Sequence, residues 1–216
     1  MRIYMSKYYL KEEKMKNYTL YLIRHGITQG NLEGRYIGLT DLPLCDEGFY
    51  AVTRLAHEHL YPDVQKVYSS PLKRCLETVD IIYPDRYVKE IDNIAECDFG
   101  EWENKTAAEL EGLPEYAQWL KGGYESSAPG GETMEEFTLR CLDGLEEIFK
   151  DMIHDEVTRA AVVTHAGVIM NLCANYGLPK GRPADFAIGQ GECIQIALST
   201  FMWQHGPVFE IVGRVV

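Results

Sequence analysis

No apolar run in this sequence approaches the roughly 20 residues that span a bilayer, so a membrane-crossing helix is excluded at the outset. Nor is there any C-x-x-C pair among its six cysteines (45, 75, 97, 141, 173 and 193). Several of these lie in apolar stretches where a thiol behaves as a small hydrophobe, which argues against both a disulfide framework and a zinc site. Neither G-x-x-x-x-G-K-[ST] nor G-x-G-x-x-G occurs, and Gly130-Gly131 therefore reads as a turn ahead of a helix instead of a nucleotide loop. Cations are scarce as well: 21 Lys and Arg stand against 33 Asp and Glu, a net charge of -12. That balance disfavours nucleic acid and anionic membranes as partners. Any anionic ligand must be held by local positive charge, against the overall field.

The start also lacks the continuous apolar core and small-residue cleavage site of a signal peptide. Met1 to Asn17 is lysine-rich and aromatic, with Met15 just before the first strand-like run. We expect a cytoplasmic protein in which residues 1–16 are a flexible extension or the product of a start codon assigned too far upstream. Residues 17–216 have the length and the hydrophobic content (46% of the whole chain, with 25% charged) of one domain. No feature of the sequence specifies an oligomeric state.

Periodicity gives a coarse order of elements. Thr19 to Ile23 is a β-rich run, followed by a polar loop and an amphipathic helix over Asp46 to Leu60. Val64 to Ser69 reads as a strand, and Ser70-Pro71 as an N-cap with proline at the first helical position of a helix towards Ile82. A shorter strand follows at Tyr87 to Ile91. The pattern then breaks over about 97–132 into Gly- and acid-rich sequence with helical pieces at Ala107 to Leu110 and Glu115 to Leu120, which reads as an inserted cap. Thr133 and Glu136 have capping-box spacing, and Phe137, Cys141, Leu145, Ile148 and Met152 share one face of a long helix. Ala160 to Thr164 is a buried-type strand leading into a helix over Gly167 to Tyr176, and Cys193 to Leu198 and Val208 to Val216 close as strands around Gly206-Pro207. The expected fold is a three-layer α/β/α sandwich with a mostly parallel sheet and a small helical cap.

Ligands of such sheets sit beyond the carboxyl ends of the strands. The loops there carry Arg24-His25-Gly26, Arg74, Glu96 and His165-Ala166-Gly167. Two His, two Arg and one carboxylate in one crevice fit phosphoryl transfer without a metal. A neutral imidazole attacks phosphorus in line and splits the hydrolysis into two easier steps. Two guanidinium forks neutralise phosphate charge bidentately, and beside His25 they favour its neutral form. Glu96 is the candidate acid and base, and His165 the candidate donor to a phosphoryl oxygen. No metal and no cofactor are expected.

These residues sit in LIRHGITQGN (Leu22 to Asn31), SSPLKR (Ser69 to Arg74), AECDFGEWEN (Ala95 to Asn104), PGGET (Pro129 to Thr133) and VVTHAG (Val162 to Gly167). In that order the segments resemble the histidine phosphatase superfamily, also called phosphoglycerate mutase-like, from about Thr19 to about Leu198. The resemblance implies that His25 is phosphorylated, that Glu96 is the proton donor, and that the phosphate-binding set is Arg24, Thr28, Asn31, Arg74, His165 and Ala166. Ile27 departs from the Glu or Gln the family often places after the glycine, which bears on specificity.

A lone Arg-His pair is more often a surface feature, and only convergence reverses that reading; His57, His59, His154 and His205 are read as surface residues. Phe99, Trp102, Tyr116, Trp119 and Tyr124 are read mainly as cap packing, with one or two against the pocket. Hydrolysis is favoured over mutase action because Arg is absent between Tyr87 and Leu139 and Arg35 is the sole cation between Gly26 and Thr53. The substrate is expected to be a small-molecule phosphate ester. The acidic, aromatic cap suits a flat, neutral or cationic leaving group. Together with YAQWL and IGQGECIQI, which resemble the α-ribazole phosphatases of cobalamin assembly, it points to α-ribazole 5'-phosphate. A broad-specificity phosphatase and a catalytically silent phospho-ligand binding protein are the alternatives.

Overall fold

In the computed structural model, which describes residues 16–58, 60–123 and 125–216, the first strand β1 (Asn17–Arg24) lies at the centre of a seven-stranded sheet. The expected extension before Lys16, together with His59 and Tyr124, falls outside the described residues. Leu20 and Leu22 of β1 point into one core and Tyr21 and Ile23 into another, the period of two that a strand imposes when both faces are covered.

The chain continues through a single turn α1 (Gln29–Leu32), α2 (Asp46–His57), β2 (Lys66–Ser69), α3 (Lys73–Ile82) and β3 (Val88–Glu90). Two short helices, α4 (Ala107–Leu110) and α5 (Pro114–Trp119), precede the long α6 (Met134–His154). Then come β4 (Arg159–Thr164), α7 (Ala166–Tyr176), β5 (Gly177–Leu178), β6 (Cys193–Ser199), α8 (Thr200–Gln204) and β7 (Phe209–Arg214). The strand order is β3-β2-β4-β1-β6-β7-β5. From β3 to β1 all neighbours are parallel; β6 runs antiparallel to β1, and β7 antiparallel to β6.

Helices α6 and α7 cover one face of the sheet through Phe137, Cys141, Leu145, Ile148, Met152, Val168 and Leu172, and α3 covers the other through Cys75 and Val79. The α/β/α layering expected from the sequence is therefore present. Thr133 caps α6 as its spacing predicts: its hydroxyl accepts from Glu136 N (3.2 Å), and the Glu136 carboxylate accepts from Thr133 N (2.8 Å). A third cluster, Trp102, Leu110, Tyr116 and Ala128, lies within the 97–132 segment and draws in Tyr36 from the loop after α1.

Several element boundaries differ from expectation. Helix α3 begins at Lys73 with Leu72 as its N-cap, not at Ser70-Pro71: the Lys73 amide donates to Asp41 Oδ1 (2.7 Å) from another loop, while buried Ser70 Oγ accepts from Leu72 N (3.4 Å) and lies 2.8 Å from His165 Nε2. Helix α2 stops at His57, short of Leu60, and β2, β3 and β7 are each shorter at their ends than Val64 to Ser69, Tyr87 to Ile91 and Val208 to Val216. A helix, α8, intervenes between the two closing strands. Ser199 caps it by accepting from Met202 N (3.1 Å), and Trp203 packs edge-on against Phe149, so the apolar run Phe201 to Trp203 serves a helix where a strand-like reading passed over it.

Candidate active site

Parallel pairing sets the two histidines side by side. Arg24 is in register with Thr164, so His25 and His165 follow on adjacent strands, with ring centroids 5.2 Å apart. Ser69 of β2 is in register with Val163, which brings Ser70 to the same level and Arg74 there in the first turn of α3. Glu96 arrives from beyond β3 and reaches the start of α7. The structure thus brings all five expected reacting residues to one end of the sheet.

His25 is buried, and its Nδ1 lies 2.6 Å from the carbonyl oxygen of Gly26. A carbonyl only accepts, so Nδ1 carries the proton and Nε2 the lone pair. Burial, reinforced by the positive charge of Arg74, holds the His25 pKa down to about 3. His165 is fully buried and its pKa is also driven well below the ordinary value, first by burial and then by Arg74. Arg74 Nε donates to its Nδ1 (3.3 Å), which leaves the proton on Nε2, 2.8 Å from Ser70 Oγ. A phosphoryl oxygen would therefore meet this imidazole in competition with Ser70.

The two arginines are fixed by backbone carbonyls. Arg74 donates from Nη1 to Thr40 O (2.9 Å) and from Nη2 to Gly38 O (2.7 Å). Arg24 donates from Nη1 to Ile188 O (2.7 Å), in the IGQGE stretch, while its Nε is buried without a hydrogen-bond partner among the described residues. A buried donor left unsatisfied costs about 1–3 kcal/mol, so this N–H marks where an acceptor belongs. Glu96 accepts from Cys97 N at Oε1 and from Gly167 N at Oε2, both at 3.1 Å. Burial nevertheless outweighs these bonds and the nearby Arg74 and Arg24, and raises its pKa above the usual carboxylate value. Gly167 is required here by close approach: a Cβ would lie 2.2 Å from Glu96 Oε1.

The remaining expected phosphate ligands divide. Thr28 is buried and caps α1: its N–H and hydroxyl both donate to Asn31 Oδ1 (3.1 Å each), and its Oγ1 accepts from Asn31 N (3.3 Å). Its hydroxyl is thus committed to Asn31, and the Asn31 Nδ2 donors are the end of that pair left for a ligand. Ala166 contributes the first amide of α7, a position with no intrahelical acceptor.

Other residues that shape the site carry no signal in their spacing. Thr78 Oγ1 accepts from Gly26 N (3.0 Å) and ties the His25 loop to α3. Arg140 donates to the carbonyls of Asn93, Ala95 and Glu96 at 3.0–3.1 Å and pairs with Glu132, whose Oε1 accepts from Asp98 N (2.9 Å). Of the aromatic residues, Trp102 and Tyr116 are buried in the 97–132 cluster and Trp119 stacks on Tyr116; Tyr36, Phe99 and Trp119 keep partial exposure. His57, His154 and His205 are exposed, as expected. No helix among the described residues is long and apolar enough to cross a membrane.

The sequence profile of the histidine phosphatase superfamily (branch 1) matches residues 20–205, and the chain belongs to that superfamily. It is a phosphatase enzyme of this class, as similarity to named phosphatases supports. The chain is 29% identical to the adenosylcobalamin/alpha-ribazole phosphatase of Escherichia coli (strain K12), over 80% of this chain and 86% of that one. It is 33% identical to phosphoserine phosphatase 1 of Hydrogenobacter thermophilus, over 61% of this chain and 64% of that one. In fold it is similar to the crystal structure of the alpha-ribazole phosphatase from Shigella flexneri, with a TM-score of 0.76 and 23% identity, covering 92% and 96% of the two chains.

Proposed function

We propose that His25 is the nucleophile of a phosphomonoester hydrolase that works through a phosphohistidine, and that the substrate is α-ribazole 5'-phosphate. The observation that carries the first part is the Nδ1 donation from His25 to the Gly26 carbonyl, which leaves the lone pair on Nε2, beside the charges of Arg74 and Arg24. In the first step the Nε2–P bond forms as the P–O ester bond breaks, and the protonated Glu96 gives its proton to the departing alkoxide. In the second, water attacks phosphorus, the Glu96 carboxylate takes its proton, and the N–P bond breaks to release inorganic phosphate. Arg24, Arg74 and Asn31 bind the phosphoryl oxygens, Thr28 orients Asn31, and the Ala166 amide adds a backbone donor; His165 supports the developing charge together with Ser70.

Support for the substrate comes from the relatives with that activity and from the partly exposed Tyr36, Phe99 and Trp119, which could stack on a flat base. A broad-specificity small-molecule phosphatase is the second reading, favoured by Trp102 and Tyr116 being spent on packing. We further propose one catalytic domain over 17–216, with 97–132 as its cap, working in the cytoplasm. Two experiments test the scheme. Base-stable, acid-labile label should be trapped on His25 and be absent from His25→Ala; label surviving that change would sink the nucleophile assignment. A panel of phosphomonoesters should give its highest kcat/KM on α-ribazole 5'-phosphate. A flat profile would leave the broad-specificity reading, and efficient interconversion of phosphoglycerates would overturn hydrolysis.

A further inference from the structure

Glu103 lies outside the reacting groups, near the end of the FGEWEN stretch, and makes no ion pair among the described residues. Its carboxylate is filled instead by main-chain donors. Oε1 accepts from Gly38 N (3.1 Å), Leu39 N (3.0 Å) and Phe99 N (3.2 Å), and Oε2 accepts from Thr40 N (3.1 Å) and from the Thr40 hydroxyl. Bonds of this kind are charge-assisted, roughly twice as strong as neutral ones, and together they fix the turn 38–40. Gly38 permits the approach, since a Cβ there would stand 1.9 Å from Cys97 O.

The carbonyls at the two ends of the same turn hold Arg74, Gly38 O on Nη2 and Thr40 O on Nη1. A guanidinium has five N–H donors in one plane. Arg74 spends one on His165 and one on each of these carbonyls, which leaves one on each Nη nitrogen, and the plane fixed by the turn sets their direction. We infer that Glu103 is a positioning residue: through the turn 38–40 it aims the Arg74 fork at the phosphoryl group. This rests on the reading of Arg74 as a phosphoryl ligand. Glu103→Gln removes the charge and sets an NH2 group against main-chain N–H donors, so the turn relaxes and the fork loses its frame.

The test is a double-mutant cycle read by calorimetric binding of inorganic phosphate, on the wild type, Glu103→Gln, Arg74→Lys and the pair. Glu103→Gln should raise the Kd about tenfold in the wild-type background and by under about twofold when Arg74 is already Lys. Its kcat/KM should fall by one common factor on aryl and alkyl phosphates. A residue that merely supports the fold would lower the melting temperature while leaving the phosphate Kd of the folded protein unchanged, or would add independently to Arg74→Lys; either result overturns the inference. Should Glu103→Gln fail to fold, Thr40→Val decides in the same cycle. It removes only the hydroxyl and should raise the Kd about twofold to threefold, again only with Arg74 present. An unchanged Kd in Thr40→Val overturns the inference. An unchanged Kd in Arg74→Lys itself would instead remove Arg74 from the phosphate site and so reject the reading on which the inference stands.

Discussion

Replacing Gly167 by alanine should separate catalysis from folding. The added Cβ would stand 2.2 Å from Glu96 Oε1, whereas real Cβ atoms essentially never come within 3.0 Å of a non-bonded heavy atom elsewhere in the fold. One of the two must give way by roughly 1 Å. The obstacle is the end of a flexible side chain, so the Glu96 carboxyl retreats and α7 stays in place. The melting temperature is therefore expected to fall by only a few degrees, since one hydrogen bond of the Glu96 carboxylate is lost while α7 is kept.

Catalysis should not hold. The retreat breaks the bond from Gly167 N to Oε2 and moves the acid off the leaving oxygen, and a displacement of about 1 Å in a reacting group costs up to about 100-fold in rate. The loss should fall on substrates that need the proton. We expect kcat/KM on an alkyl phosphate to drop about 100-fold, and on 4-nitrophenyl phosphate, whose leaving group departs unprotonated, by under about fivefold. The assay is both substrates at one pH, with thermal melts alongside. Equal losses on the two substrates, or full activity on both, would refute the placement of Glu96 as the acid.

Glu96 works protonated, and its pKa is raised in the folded protein, so kcat/KM on alkyl phosphates should fall as pH rises through that raised value. Glu96→Gln should erase this limb of the profile; a limb that persists assigns it to another group. Burial and Arg74 hold the His25 pKa down to about 3, so it should contribute no loss of activity above that point, which the acid limb of a kcat/KM profile on 4-nitrophenyl phosphate checks. Activity should persist in excess EDTA, with Arg24→Lys or Arg74→Lys each costing about 10- to 100-fold, because an ammonium cannot reproduce the fork. Loss of activity on chelation, restored by Mg²⁺ or Zn²⁺, contradicts that charge assignment. Thr133→Ala removes the cap of α6 and should cost about 1 kcal/mol, read as a shift of the urea midpoint at constant slope.

The reacting groups were legible because each follows a strand, His25 and His165 directly, Arg74 in the first turn of the helix after β2 and Glu96 in the stretch after β3, and buried strands are readable as short β-rich apolar runs. Once Thr19 to Ile23 and Ala160 to Thr164 are read as neighbouring buried strands, His25 and His165 must emerge on the same edge, and the register of Arg24 with Thr164 bears this out. The groups that hold the site in shape were not legible, for an equally physical reason. Glu103 reaches residues 38–40, and Arg140 reaches residues 93–96, across distances in sequence that no periodicity spans. Within Ala95 to Asn104 the acids Glu96, Asp98, Glu101 and Glu103 look alike as sequence. Glu96 apart, which its place after a strand marks out, only folding sorts them: Glu101 is left exposed, Asp98 caps its own turn through Gly100 N, and Glu103 is surrounded by main-chain amides.

The same limit explains why the phosphate end of the reaction was easier to read than the leaving-group end. Phosphate binding draws on strand-end loops whose positions follow from the sheet. The surface proposed for the leaving group is assembled from a segment whose core is shared with a distant loop: Tyr36 donates to or accepts from Tyr116 (2.8 Å between hydroxyls) and contacts Phe99 and Trp119 edge-on or tilted. Trp102 and Tyr116, the residues an acidic, aromatic stretch first suggests for stacking, are consumed by that core. Any recognition of a flat leaving group therefore passes to Tyr36, Phe99 and Trp119, and of these Phe99 sits closest in sequence to the acid. Phe99 N also donates to Glu103, but through the main chain, so its ring is free to vary without disturbing the turn 38–40. Substitutions at Phe99 should accordingly alter substrate preference while sparing phosphate affinity, whereas those at Glu103 reach the phosphate first.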